Sequence, residues 1–214
     1  MRYLIVANWK MNPETFSEAK MLFNSLKKKI KNIKNTELVI CPSFVFLPLL
    51  KANGAQDCFW EEKGAYTGEV SPTMLRNIGC QYVIIGHSER RRYQEETDEV
   101  VNKKIKAALM AGLKPILCIA NLSQLEKGLK GIYKKVVVAY EPVFAIGTGR
   151  PCSVEKAKKI RKLIKFPCVL YGGSVNSQNA ADYIVKGGFQ GLLIGGVSLD
   201  TKQFLKTINS IEKI

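Results

Sequence analysis

The chain has 214 residues, 46% hydrophobic and 24% charged, which suits one domain with a sizeable core and excludes a disordered polymer. Lys and Arg number 33 against 18 Asp and Glu, a net charge of +15, and His87 is the one histidine. A single imidazole excludes metal sites needing two or three histidines, and leaves any Ser-His-Asp or Cys-His mechanism one candidate base.

Apolar runs alternate along the chain with stretches of helical period. A strand is predicted over Tyr3–Ala7, then a helix after Pro13 with the stripe Phe16, Ala19, Leu22, Phe23, Leu26, Ile30 and Ile33. Strand runs at Leu38–Cys41 and Ala55–Phe59 are separated only by positions 42–54, which include Pro42, Pro48 and Gly54. The fourth run, Tyr82–Ile85, precedes a helix that starts at Thr97, buries Val101, Ile105, Ala108 and Leu109, and stops at Gly112. Pro115–Ile119 and Val136–Tyr140 are joined by the short connection Asn121–Lys135, which leaves the fifth helix at most three turns. A helix from Ser153 carries Val154, Ala157, Ile160, Leu163 and Ile164, and the seventh run is Cys168–Tyr171. A helix from Ser177 carries Ala180, Ala181, Ile184 and Val185, and the eighth run is Gly191–Ile194. The last helix follows Asp200 with Phe204, Leu205, Ile208 and Ile211.

Strict alternation means parallel strands joined by right-handed crossovers. Eight units of about 27 residues close most simply into an α/β fold, the (β/α)8 barrel, although an open doubly wound sheet uses the same units. The expectation is one domain, residues 1–214, with shortened second and fifth helical connections.

The six cysteines are scattered without a C-x-x-C pair, which excludes a zinc ribbon or thioredoxin motif and predicts reduced, mostly buried thiols. The N-terminal apolar run is too short for a signal peptide, and nothing reaches the roughly 18 apolar residues of a membrane span. A soluble cytoplasmic protein is expected, with no membrane association. Basic residues such as Lys156, Lys158, Lys159, Arg161, Lys162 and Lys165 fall on polar helix faces. They read either as solvated surface or as attraction for anionic small molecules or nucleic acid. No aromatic residues interleave with them, so a single-strand stacking platform has no support.

Polar or glycine-rich residues follow five strand runs directly: Asn8-Trp9-Lys10, Gly86-His87-Ser88-Glu89-Arg90, Glu141-Pro142, Gly172-Gly173-Ser174 and Gly195-Gly196. In a parallel barrel these strand ends share one face. Pro142 keeps Glu141 extended at its strand tip, where an apolar neighbourhood would raise the carboxyl pKa toward neutrality and suit a general base; a surface acid is the plainer reading. His87 is either a hydrogen-bonded, semi-buried histidine or part of this cluster. It precedes Ser88 directly and cannot serve it as a base, and the G-x-S-x-G pattern is incomplete, so serine hydrolysis is disfavoured. The glycine pairs after the seventh and eighth runs are either ordinary turns or a backbone cradle for phosphate.

Seven stretches closely resemble the triosephosphate isomerase family. They are Ala7–Asn12, Gly64–Glu69, Ile85–Arg91, Ala139–Val143, Ala145–Gly149, Tyr171–Val175 and Leu193–Gly196. The resemblance implies a TIM barrel interconverting dihydroxyacetone phosphate and D-glyceraldehyde 3-phosphate, a step of glycolysis and gluconeogenesis, with no cofactor and no metal. It implies Glu141 as the base, His87 as a neutral electrophile helped by Asn8, and Lys10 as the positive charge, with Glu89 in support. Phosphate would rest on Gly147, Ser174, Gly195 and Gly196. Ile146 and Leu193 would flank Glu141, and Pro142–Gly149 would form a lid. Thr67, Gly68 and Glu69 resemble the family's interlocking loop, with Glu69 facing Arg90 across a homodimer.

The chain departs from the family pattern at Phe144, where a tryptophan is usual, and at Ala120-Asn121, where glycine and glutamate are usual. Two other functions compete: a different barrel enzyme for phosphorylated sugars, and a basic protein binding nucleic acid or a cell surface without catalysis.

Overall fold

The computed structural model describes residues 2–30, 33–133, 136–145 and 149–214. Eight parallel strands run β1 Tyr3–Asn8, β2 Thr36–Cys41, β3 Gly54–Ala55, β4 Tyr82–Ile85, β5 Lys114–Ile119, β6 Val137–Tyr140, β7 Val169–Tyr171 and β8 Gly191–Ile194. Their order is β2-β1-β8-β7-β6-β5-β4-β3. Between them lie α1 Phe16–Lys29, α2 Leu47–Leu50, α3 Pro72–Asn77, α4 Ser88–Tyr93, α5 Asp98–Met110, α6 Leu122–Gly128, α7 Val154–Leu163, α8 Ala180–Val185 and α9 Thr201–Glu212. This is the (β/α)8 barrel, nearly closed.

The edge strands β2 and β3 meet through side-chain amides instead of a ladder. Asn53 accepts from the Ile40 N–H and donates to the Leu38 carbonyl, at 3.0 Å each. Gln56 donates to the Cys41 carbonyl at 2.9 Å. This corrects the third strand: only Gly54 and Ala55 pair with β4, and beyond them the Gln56 amide donates to the Cys41 carbonyl while Asp57 pairs with Lys104.

Strand alternation sorts the apolar residues into two layers. Leu4, Val6, Val39, Ile84, Ile116, Cys118, Ala139, Leu170 and Leu193 fill the barrel. Ile5, Ala7, Ile85, Leu117, Val138 and Tyr171 face outward onto the helices. The inward series Leu4-Val6 reaches Asn8 next, and Val137-Ala139 reaches Glu141. Period two therefore delivers both polar side chains to the strands' C-terminal mouth.

Helix starts follow capping chemistry. Thr15 and Glu18 form a capping box on α1, and Thr97, Ser153 and Asp200 cap α5, α7 and α9. The helix expected from Ser177 begins instead at Ala180. Asn176 and Asn179 spend their side chains on a preceding turn, in which the Asn176 N–H donates to Asn179 at 2.9 Å. The second connection holds a 3-10 turn and the four-residue α2; the fifth holds the seven-residue α6. Asn121 is the N-cap of α6, accepting from the Gln124 N–H at 3.0 Å. Lys156, Lys158, Lys159, Lys162 and Lys165 lie exposed, whereas Arg161 donates to Gln190 and to the Gly188 and Ile164 carbonyls.

Candidate active site

One cavity of about 260 Å³ at the strands' C-terminal ends is lined by Asn8, Lys10, His87, Glu141, Ser174, Leu193, Gly195 and Gly196. Gly149, Gly172, Gly173, Val175, Asn176, Ile194 and Val197 complete it. The segments expected to converge do so. Gly147 and Ile146 lie outside the described residues.

Glu141 is 2% exposed and His87 6%. The two face each other, His87 Nε2 to Glu141 Oε1, at 3.2 Å. The Ser88 N–H donates to Glu141 Oε2 at 3.3 Å, and the Glu89 N–H donates to His87 Nδ1 at 3.2 Å. A ring nitrogen that accepts a backbone N–H carries no proton, so the neutral imidazole keeps its hydrogen on Nε2, which faces Glu141 Oε1 on the cavity wall. Gly172 permits this packing, since a Cβ there would stand 2.9 Å from Glu141 Cγ.

The expectation of a raised Glu141 pKa is overturned. Burial favours the neutral acid, but the His87 contact, the Ser88 N–H and the Lys10 charge together hold the carboxyl below its ordinary value of 4.5. For His87, burial opposes charge, but the Glu141 contact and the Glu89 charge outweigh it and raise the pKa above 6.5. These shifts belong to the pair as it stands, with Glu141 turned onto His87.

Lys10 has a left-handed backbone, φ 56°, unusual for a residue with a side chain. Its carbonyl accepts from Ser43 Oγ at 3.1 Å and Gln56 Nε2 at 2.8 Å, which fixes that conformation. Its ammonium donates to Glu89 at 2.5 Å. Glu89 thus bridges the lysine and, at 3.6 Å, the outer side of His87. Ser174 Oγ donates to the Ala145 carbonyl at 2.7 Å, tying the residues after Glu141 to the glycine run after β7.

Thr67, Gly68 and Glu69 are exposed in a loop. Within the chain Arg90 is bound by Asp57 at 2.9 Å and Glu96 at 2.5 Å. Its pKa is raised: burial opposes, and the Asp57, Glu96 and Glu69 charges outweigh it. Lys104, 3% exposed, joins the same acids at 2.6 and 2.5 Å. This buried cluster was missed in the sequence. Its signal was a lysine three residues after Val101 on the apolar stripe of α5. Phe144 is half exposed, with Lys156 Nζ 5.0 Å from its ring centroid.

Among the described residues, no group of three or more His, Cys, Asp and Glu side chains is placed to hold a metal ion, and no helix is long and apolar enough to cross a membrane. A family profile described as triosephosphate isomerase matches residues 3–211. Similar curated proteins include triosephosphate isomerases of Dehalococcoides mccartyi, 41% identical over 242 aligned positions, and Caldanaerobacter subterraneus, 42% over 247. These alignments cover 96% and 97% of this chain and 96% and 99% of the relatives. The triosephosphate isomerase of Dictyoglomus turgidum is 40% identical, over 98% of this chain and 99% of its own.

Proposed function

The chain belongs to the triosephosphate isomerase family, and from that premise we infer how its own residues interconvert dihydroxyacetone phosphate and D-glyceraldehyde 3-phosphate. The observation that carries the assignment of roles is the single cavity joining the paired Glu141 and His87 to Asn8, Lys10 and the glycine runs after β7 and β8.

Substrate entering the cavity separates the pair. Glu141, ionised, takes a proton from C1 of dihydroxyacetone phosphate, while His87 Nε2–H and Asn8 hydrogen-bond the C2 carbonyl oxygen and Lys10 offsets the enediolate charge. Glu141 returns the proton to C2, and His87 carries the hydroxyl proton between the two oxygens. Atoms and charge balance, and every proton is handled by a side chain. With Glu141 turned to carbon, the largest influence raising the His87 pKa is weakened. The Glu89 charge still favours the cation, while burial, Lys10 and the Glu89 N–H favour the neutral imidazole. A positioned base contributes roughly 10²–10⁴-fold, and each donor to the developing oxyanion on the order of 10²–10³-fold. Phosphate rests on backbone amides around Ser174, Gly195 and Gly196, with Gly147 assigned to the same role by resemblance alone. A lid at Pro142–Gly149 is assigned by resemblance alone.

The working form is a homodimer. A hollow of about 220 Å³ bounded by Met11, Ser43, Phe44, Gln56 and Arg90 backs onto Lys10, His87 and Glu89. Met11 is 91% exposed at its rim. The loop Thr67-Gly68-Glu69 of a second copy fits there, and sedimentation then reads twice 23.9 kDa. The six free thiols, five of them buried, support a reducing compartment, the cytoplasm.

An assay coupling glyceraldehyde 3-phosphate isomerisation to reduction of dihydroxyacetone phosphate tests the roles. Wild type turns over and Glu141→Ala does not; full activity in Glu141→Ala overturns the assignment.

A further inference from the structure

Cys152 lies past the residues that follow Glu141 and is 2% exposed. Its peptide is gripped on both sides by phenols. Its N–H donates to Tyr171 Oη at 3.1 Å, and its carbonyl accepts from Tyr183 Oη. The two rings stack with centroids 3.7 Å apart and planes 14° apart, and Phe189 closes one side edge-on. Tyr171 ends β7 and leads into the glycine run of the cavity. Its hydroxyl rests on Gly173, where a Cβ would come within 2.2 Å. One residue on, Ser174 binds the Ala145 carbonyl. Ala145 is therefore fastened to the 171–174 run through Ser174, and Cys152 is fastened to that run through Tyr171 and to α8 through Tyr183.

We propose that Tyr183 is a positioning residue for the phosphate end of the active site, holding the Cys152 peptide and the Tyr171 ring in the one arrangement that shapes the Gly172-Gly173-Ser174 cradle. It lies outside the cavity and touches no substrate. Its ring alone fills the space in α8, whereas its hydroxyl supplies the donor that the buried Cys152 carbonyl needs. The inference rests on the functional reading above.

Tyr183→Phe keeps the ring and removes that donor. The Cys152 peptide loosens, and the amides that meet phosphate lose their preset geometry. Steady-state kinetics with inorganic phosphate as competing inhibitor read this directly. The KM for glyceraldehyde 3-phosphate and the Ki for phosphate both rise, on the order of tenfold, while kcat stays within about twofold. A purely structural tyrosine would change the melting temperature or the active fraction and leave both constants alone. Unchanged KM and Ki in folded Tyr183→Phe overturn the proposal. If that variant fails to fold, Tyr171→Phe, which frees the other side of the same peptide, carries the test with the same two outcomes. Wild type that isomerises and loses activity in Glu141→Ala, beside an unaltered Tyr183→Phe, sinks this proposal alone. An inactive wild type sinks the functional reading beneath it.

Discussion

Two buried clusters of opposite charges lie within a few residues of each other and serve opposite ends. His87 and Glu141 pair at 3.2 Å on the wall of a 260 Å³ cavity, with neighbours that tune both groups. Asp57, Glu96, Lys104 and Arg90 pair at 2.5–2.9 Å, with Lys104 sealed between the two acids. In the reaction proposed above, each partner of the first has an alternative, because substrate takes the place of either. In the second, loss of one member strands the others in a low-dielectric interior. Burial therefore does not distinguish catalytic from structural charge; an adjacent cavity and an exchangeable partner do.

Breaking each cluster should separate activity from stability. Glu141→Gln is expected to lower kcat by roughly 10²–10⁴-fold in the coupled assay while the protein stays folded by circular dichroism. Lys104→Met should do the reverse. It leaves Asp57 and Glu96 short of a cation and costs about 3–5 kcal/mol in urea unfolding, with kcat per folded molecule nearly unchanged. Gly172→Ala sharpens the contrast, since its Cβ pushes Glu141 without altering any charge. A displaced base costs up to about 10²-fold in kcat/KM, with a much smaller effect on stability.

The smallest effect is in the pH dependence of the melting temperature. Glu141, lowered below 4.5, contributes stability that is present above that value and lost as pH falls through the native pKa. His87, raised above 6.5, contributes stability that is complete below 6.5 and lost as pH rises through its native pKa. The melting difference between wild type and Glu141→Gln is thus greatest between pH 4.5 and 6.5 and shrinks on either side. In the structural cluster, burial and the Glu96 charge push Asp57 up to about 6 despite Lys104 and Arg90. Ionising Asp57 therefore weakens the fold as pH rises from 3.8 toward 6, and Lys104→Met steepens that loss.

Much of the site is legible before any coordinates, because strand periodicity and proline are local signals. Asn8 and Glu141 each continue an inward-facing series, and Pro142 marks the strand tip. What escapes is set by contacts distant in sequence. The third strand looks longer than its ladder, since nothing local announces that Gln56 will bond the Cys41 carbonyl. The sign of the Glu141 shift depends on a histidine 54 positions away, and burial alone predicts the wrong direction. Tyr183 carries no local signal, and its part emerges only where its hydroxyl meets Cys152. Asn121, read as a departure at a site position, proves to be a helix cap in a shortened connection.

In the proposed reaction, hydrogen leaves carbon as a proton on Glu141 and returns to the neighbouring carbon. Conversion of dihydroxyacetone phosphate in D2O, followed by proton NMR, tests this most directly. A carboxylic acid exchanges its proton with solvent, so the account predicts glyceraldehyde 3-phosphate carrying deuterium at C2. Product formed at the full rate with protium alone at C2 would mean direct hydride transfer between the carbons and would contradict it.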